Sequence, residues 1–180
     1  RLIAECGFSG AKLVATPGLE ATFKELEEDA AELPTDLTTA LRGAAARGNY
    51  LAADRLNAQF ACKEIYRWMS WPSKHAWKAS KRLCRYPAGA PRLVYLYEQQ
   101  EVSAVDVYTD TDWAGCPLTR KSTSGGCVML GKHCMKHWSS TQTSISLSSG
   151  EAEFAGVIRG AGHGLGYQAL LKDVGVELPL

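Results

Sequence analysis

The sequence has no excess of either charge. Twenty Lys and Arg against 19 Asp and Glu leave a formal net charge of +1 over 180 residues. Bulk composition therefore gives no argument for a nucleic-acid, membrane or acidic partner, and any electrostatic case has to come from local clustering. Long apolar runs are also missing. None approaches the roughly 20 residues that cross a bilayer, and the opening RLIAECGFSG has neither the charged start nor the apolar centre of a signal peptide. A soluble chain is expected. Arg1, where a Met would open a complete protein, points to a start that is processed or cut from something longer. There is no C-x-x-C pair: the six cysteines at 6, 62, 84, 116, 127 and 134 are scattered, which reads as reduced, mostly buried thiols in a reducing intracellular compartment. Cys127, His133, Cys134 and His137 are zinc-ligand types, but their spacing matches no finger or ribbon, so a zinc site is not expected.

What is present changes character along the chain. Residues 1–15 read as a short helix or strand stopped by Pro17-Gly18. Glu20 to Glu32 carries six carboxylates against one lysine, with Leu19, Phe23 and Leu26 at helical spacing; it predicts a surface helix ended by Pro34. Residues 38–70 hold few breakers and an alanine-rich pattern joined by Leu51, Ile65, Trp68 and Met69, suited to one long helix or two shorter ones. In SKHAWKASKRLCRY, the cations Lys74, Lys78, Lys81, Arg82 and Arg85 share one helix face, opposite Trp77, Ser80, Leu83 and Cys84. That stripe is either a solvated surface or a contact for a phosphate backbone. Pro87, Gly89 and Pro91 mark a linker, giving two regions, 1–90 and 91–180.

Past the linker the texture turns β-branched and hydroxyl-rich. Strands are expected at Leu93–Tyr97, Ala104–Thr109, Thr123–Leu130 and Cys134–Ser139. Ser148-x-x-Glu151 is a capping box, so a helix should start near Ser149 and run toward Lys172. Helices, then strands, then one helix give an α+β (mixed α/β) class. Asp110 and Asp112 follow the apolar Val105 and Val107 at the expected end of a strand, where two carboxylates repel unless solvent or a cation sits against them. Glu151 is accounted for by capping. Glu153 is not, and a carboxylate meeting Asp110 across a strand-helix contact could hold Mg or Mn, hard ions that take oxygen ligands.

The stretch from "VYTDTDWAG" through "RKSTSG" and "WSSTQ" to "SSGEAEF" resembles the opening half of the ribonuclease H domain of copia-type retrotransposon polyproteins. "LRGAAARGNYLAADRLNAQFACKEIYRWMSWPSKHAWKASKRLCRY" is similar to the connection between that family's reverse transcriptase thumb and ribonuclease H, and "GAKLVATPG" to the thumb's trailing edge. The resemblance implies an incomplete ribonuclease H-like sheet of three to four strands with one packed helix. It implies Asp110 and Glu153 as catalytic, metal-binding acids, Mg or Mn as cofactor and an RNA–DNA hybrid as partner. The cationic row would then track the hybrid. The family's further acids lie on a fourth strand and beyond, past Leu180, so the chain as given is not expected to cut RNA. Leu56 and Asn57 replace the family's usual Pro and Asp, and Pro87 interrupts a segment that usually continues helical. Gly156, Gly160, Gly162, Gly164 and Gly166 either fray the last helix or fit it closely against a neighbour. Two readings stay open: a piece of a hybrid-cleaving polyprotein, or a retroelement-derived structural subunit that meets other chains through an open sheet edge.

Overall fold

The computed structural model describes residues 12–19 and 21–180, and the expectation for residues 1–11 lies outside that range. The chain divides into two compact units, the first ending at Val94 and the second running from Tyr95 to Leu180. The class is α+β, with a helical N-terminal part and a three-stranded antiparallel sheet.

In the first unit, α1 (Phe23–Glu28) is held at its start by a capping box between Thr22 and Glu25. The helix ends at Asp29, well before Pro34. The reason is a competing set of partners: Asp29 and Ala31 carbonyls accept from His75 and Lys74 N–H, and Leu33 N–H donates to the Pro72 carbonyl. Residues 29–33 thus cap the start of a later helix instead of prolonging their own. The alanine-rich segment forms α2 (Thr35–Asp54), a 3₁₀ turn (Leu56–Ala58) and α3 (Gln59–Tyr66). The basic segment forms α4 (Lys74–Gly89), with Ser73 Oγ accepting the Ala76 N–H at its N-terminus. Pro87 lies inside α4, so the expected linker starts later, at residue 90. Proline in the last turn sacrifices only one helical hydrogen bond, which the chain tolerates there. The core is built from Leu33, Leu41, Ile65 and Leu83 among many alanines. With side chains this small, the helices sit close; a methyl group added at Gly48 would lie 3.1 Å from Leu83.

The second unit contains β1 (Val105–Asp112), β2 (Thr123–Leu130), β3 (His133–Thr141) and α5 (Ser149–Asp173), in sheet order β1-β2-β3. Leu93–Tyr97, expected as a strand, is irregular; Val94 and Leu96 are exposed and no ladder pairs the segment. Strand β1 runs three residues past the expected Thr109. Thr111 and Asp112 pair with Ser124 and Thr123, so β2 extends β1 through register rather than through propensity. Val105, Val128 and Trp138 form the buried centre, with Val107, Leu130, Tyr167, Leu171 and Leu178 around it.

Helix α5 starts where the capping signal places it. Ser148 Oγ accepts the Glu151 N–H, but the Glu151 carboxylate reaches one residue further back than in the expected box, accepting from Leu147 N–H at 2.7 Å. The glycines do not fray the helix. Gly156, Gly160 and Gly164 are buried at four-residue spacing against β1, where an added Cβ would fall 2.5 Å from Thr111 Oγ1, 2.3 Å from Thr109 Cγ2 and 2.8 Å from Val107 Cγ2. Gly162 and Gly166 face open space.

Candidate metal and nucleic-acid site

The contacts of α5 assign the two faces of the sheet. Val107, Thr109 and Thr111 touch the glycine row, so odd-numbered residues of β1 point toward the helix. Side chains alternate along a strand, and Asp106, Tyr108, Asp110 and Asp112 are accordingly exposed on the opposite face. Asp110 stands opposite Gly125, two residues before β1 ends. Opposite a glycine its carboxylate has no side chain to pack on. The Asp112 carboxylate folds back over Gly115, where even a methyl group would collide with it at 1.5 Å.

Glu153 is exposed in the first turns of α5. A polar network ties this end of the helix to the far end of β1. Gln142 Nε2 donates to both Ser124 Oγ and the Ala152 carbonyl, each at 2.8 Å, while Ser146 Oγ donates to Gln142 Oε1 at 3.0 Å. Thr111 Oγ1 lies 3.5 Å from Ser124 Oγ. Trp113 Nε1 donates to the Ser146 carbonyl at 3.1 Å, fixing the loop that follows β1 to the one that precedes α5. Asp110 and Glu153 therefore belong to the same end of the unit, on elements that are cross-linked, but they leave those elements on different sides of the sheet. Both are hard oxygen donors and fit Mg or Mn as ligand types. No group of three or more His, Cys, Asp or Glu is positioned to hold a metal among the described residues, which also covers the Cys127, His133, Cys134 and His137 set.

The cationic row forms one face of α4 as expected, with Ala76, Ser80, Leu83 and Cys84 buried behind it. Its members differ in what they are free to do. Lys74, Lys78 and Lys81 are exposed. Lys78 Nζ pairs with Asp29 at 2.6 Å while its side chain remains 69% exposed, and Lys81 Nζ lies 5.3 Å above the Trp77 ring. Arg82 and Arg85 turn to the chain's own backbone and hydroxyls, donating to Thr16 Oγ1 and the Lys12 carbonyl. Sequence spacing finds the row but cannot separate the solvent-facing lysines from the arginines that hold residues 12–16. Gln142, at the centre of the network under α5, was not singled out by residue chemistry, since an amide outside a titratable cluster gives no signal.

No helix among the described residues is long and apolar enough to cross a membrane. No family model matches the chain, and no solved structure matches it. It is 31% identical over 177 residues to the retrovirus-related Pol polyprotein from transposon RE2 of Arabidopsis thaliana, and 30% identical over 179 residues to that from transposon RE1 of the same plant. Both matches cover 98% of the chain, which spans only 12% of the length of either polyprotein. An uncharacterized mitochondrial protein of Arabidopsis thaliana, AtMg00810, is 31% identical over 106 residues, covering 58% of this chain and 44% of that protein. Over nearly its whole length, the chain is similar to a segment of the retrovirus-related Pol polyproteins of copia-type transposons.

Proposed function

We propose that the chain is a ribonuclease H-like piece of a copia-type retroelement polyprotein, in which Asp110 and Glu153 contribute two oxygen ligands for Mg or Mn. By itself this pair does not sustain hydrolysis of the RNA strand of an RNA–DNA hybrid. The observation that carries the reading is the Gln142 network, which binds the first turn of α5 to Ser124 of β2, the residue paired with Thr111 next to Asp110. Magnesium is commonly held by one or two carboxylates with water and substrate phosphate completing the shell, so two acids suit an ion delivered with nucleic acid. Hydrolysis by the two-metal route needs a second ion clamped on the leaving oxygen, and the described residues offer no third acid for it. Lys74, Lys78 and Lys81 are the cations of α4 suited to a phosphate backbone, because their side chains face solvent.

The test is a labelled RNA–DNA hybrid incubated with the chain and manganese, alongside manganese binding followed by electron paramagnetic resonance. The expected result is no cleavage, with weak manganese binding that Asp110→Asn and Glu153→Gln each reduce. Cleavage that Asp110→Asn abolishes would overturn the claim of inactivity. Manganese binding indifferent to both substitutions would remove the metal site.

One observation favours a second reading, a structural subunit. Val105 N–H points away from β2 to the Pro179 carbonyl at 2.8 Å. In a regular antiparallel ladder the outward-pointing amides then fall on every second residue, which are Val107, Thr109 and Thr111. No described residue pairs with them, and such an edge accepts a strand from another chain. Slow exchange of these three amides, together with a monomeric mass in solution, would count against that reading.

A further inference from the structure

The open face of the sheet carries a pair of thiols that the ladder alone would not bring together. Cys127 stands opposite His137, and Val128 opposite Lys136, but Met129 stands opposite Cys134, because β3 has one extra residue, Met135, at a bulge. The extra residue restores Cys134 to the side of the sheet that Met129 and Cys127 occupy. This is the face α5 leaves uncovered. Cys127 and Cys134 become diagonal neighbours on that face. Cys134 Sγ also donates to the Lys136 carbonyl at 3.4 Å.

We propose that Cys127 and Cys134 form a reversible disulfide, a redox-modification site across β2 and β3. The other described cysteines, Cys62, Cys84 and Cys116, are buried, whereas Cys127 and Cys134 are half-buried and reachable by small oxidants. Burial raises the Cys62 thiol to about 11, which keeps it protonated and inert. Desolvation, with Cys127 beside it, also raises Cys134. With a low-molecular-weight disulfide such as oxidised glutathione, one of the two thiolates attacks one sulfur, forming a mixed disulfide and releasing one small thiol. The other protein sulfur then displaces the second small thiol. Two protein thiols become one disulfide, and the two electrons and two protons end on the two released thiols.

Diagonal neighbours in a regular ladder have Cα atoms about 7–8 Å apart, slightly beyond the usual disulfide range of about 4.4–6.8 Å. A bulge bends and twists its strand locally, and formation of the bond draws on that freedom to close the gap. The bond formed this way is strained, hence easily reduced, which suits a switch more than a permanent staple.

The native chain is titrated with oxidised glutathione and read by intact mass and peptide mapping, with a parallel titration in denaturing urea. The expected first product is a Cys127–Cys134 disulfide formed at least tenfold faster in native conditions than in urea, and reversed by reduced glutathione. Cys127→Ser and Cys134→Ser should each stop at a mixed disulfide with glutathione or stay reduced. Equal rates in the two conditions, a first bond involving any other cysteine, or stable mixed disulfides on the unsubstituted chain would overturn the proposal. Circular dichroism on each variant separates loss of the bond from loss of the fold.

Discussion

Alanine at Gly160 and alanine at Gly162 should have different effects, and their difference isolates packing from helix propensity. Both positions lie in the interior of α5, so each substitution gains about 1 kcal/mol of intrinsic helix preference. At Gly162 nothing stands within 4 Å of the new methyl group, and that gain is expressed in full. At Gly160 the methyl group falls 2.3 Å from Thr109 Cγ2 and 3.2 Å from Val107 Cγ1. Both neighbours are β-branched residues of β1 with little rotamer freedom to retreat. Overpacking of this kind costs about 1–3 kcal/mol. Gly162→Ala should therefore be stabilised by about 1 kcal/mol, and Gly160→Ala should fall between neutral and about 2 kcal/mol less stable. For a unit of this size each kcal/mol corresponds to about 4–8 °C in Tm. Because the chain has two compact units, the assay is amide hydrogen exchange of peptides from residues 149–173 in the intact chain, which reads α5 alone. Equal protection in the two variants, or greater loss in Gly162→Ala, would refute the claim that α5 is seated on β1 through its glycine row.

Gly126→Ala should destabilise the sheet by about 1–3 kcal/mol, because the new methyl group would meet the Trp138 ring at 2.2 Å and the Tyr108 carbonyl at 2.5 Å; Trp138 fluorescence during urea unfolding reads it. Gln142→Ala removes three hydrogen bonds, one of them from buried Ser146. At about 1–3 kcal/mol for a buried polar group left unpaired, α5 protection should fall most in its first two turns. Desolvation, then Lys136 and Arg159, hold His163 below its ordinary 6.5, and its ring packs 4.6 Å from that of Trp138. The unfolded chain thus protonates more readily than the folded one, so stability should be level above the ordinary value and decline as pH falls below it. His163→Gln should flatten that decline in chemical unfolding between pH 7.5 and 5, to the extent that His75, also lowered chiefly by burial, does not supply it. For binding to an RNA–DNA hybrid measured by anisotropy, Lys74→Ala and Lys81→Ala should each reduce the salt slope by about one unit, whereas Lys78→Ala, whose ammonium is paired with Asp29, and Arg82→Ala, whose guanidinium is bonded to Thr16, should change it less.

Elements bounded by local chemistry were legible before the fold was known. Ser148 and Glu151 mark the start of α5, β-branched and hydroxyl-rich runs between turn residues mark β2 and β3, and the face of α4 follows from the spacing of its cations. The misses have nonlocal causes. Residues 29–33 leave the helical state because they bond to the start of α4. Thr111 and Asp112 join β1 because β2 has room to pair with them, and Leu93–Tyr97 has strand composition but no partner. The same division runs through the proposed site: the resemblance points to Asp110 and Glu153, but nothing in the motif says on which side of the sheet each lies.

By itself, then, the sequence determined the α+β class, the start of α5 and the cationic face of α4, since these follow from propensity and spacing along the chain. Only the tertiary structure decided which glycines are required and which are idle. It also decided which lysines face solvent, and that one extra residue at Met135 puts Cys134 on the same face of the sheet as Cys127. Those outcomes depend on close approach between segments far apart in the chain, and a local pattern carries no record of what a side chain will meet.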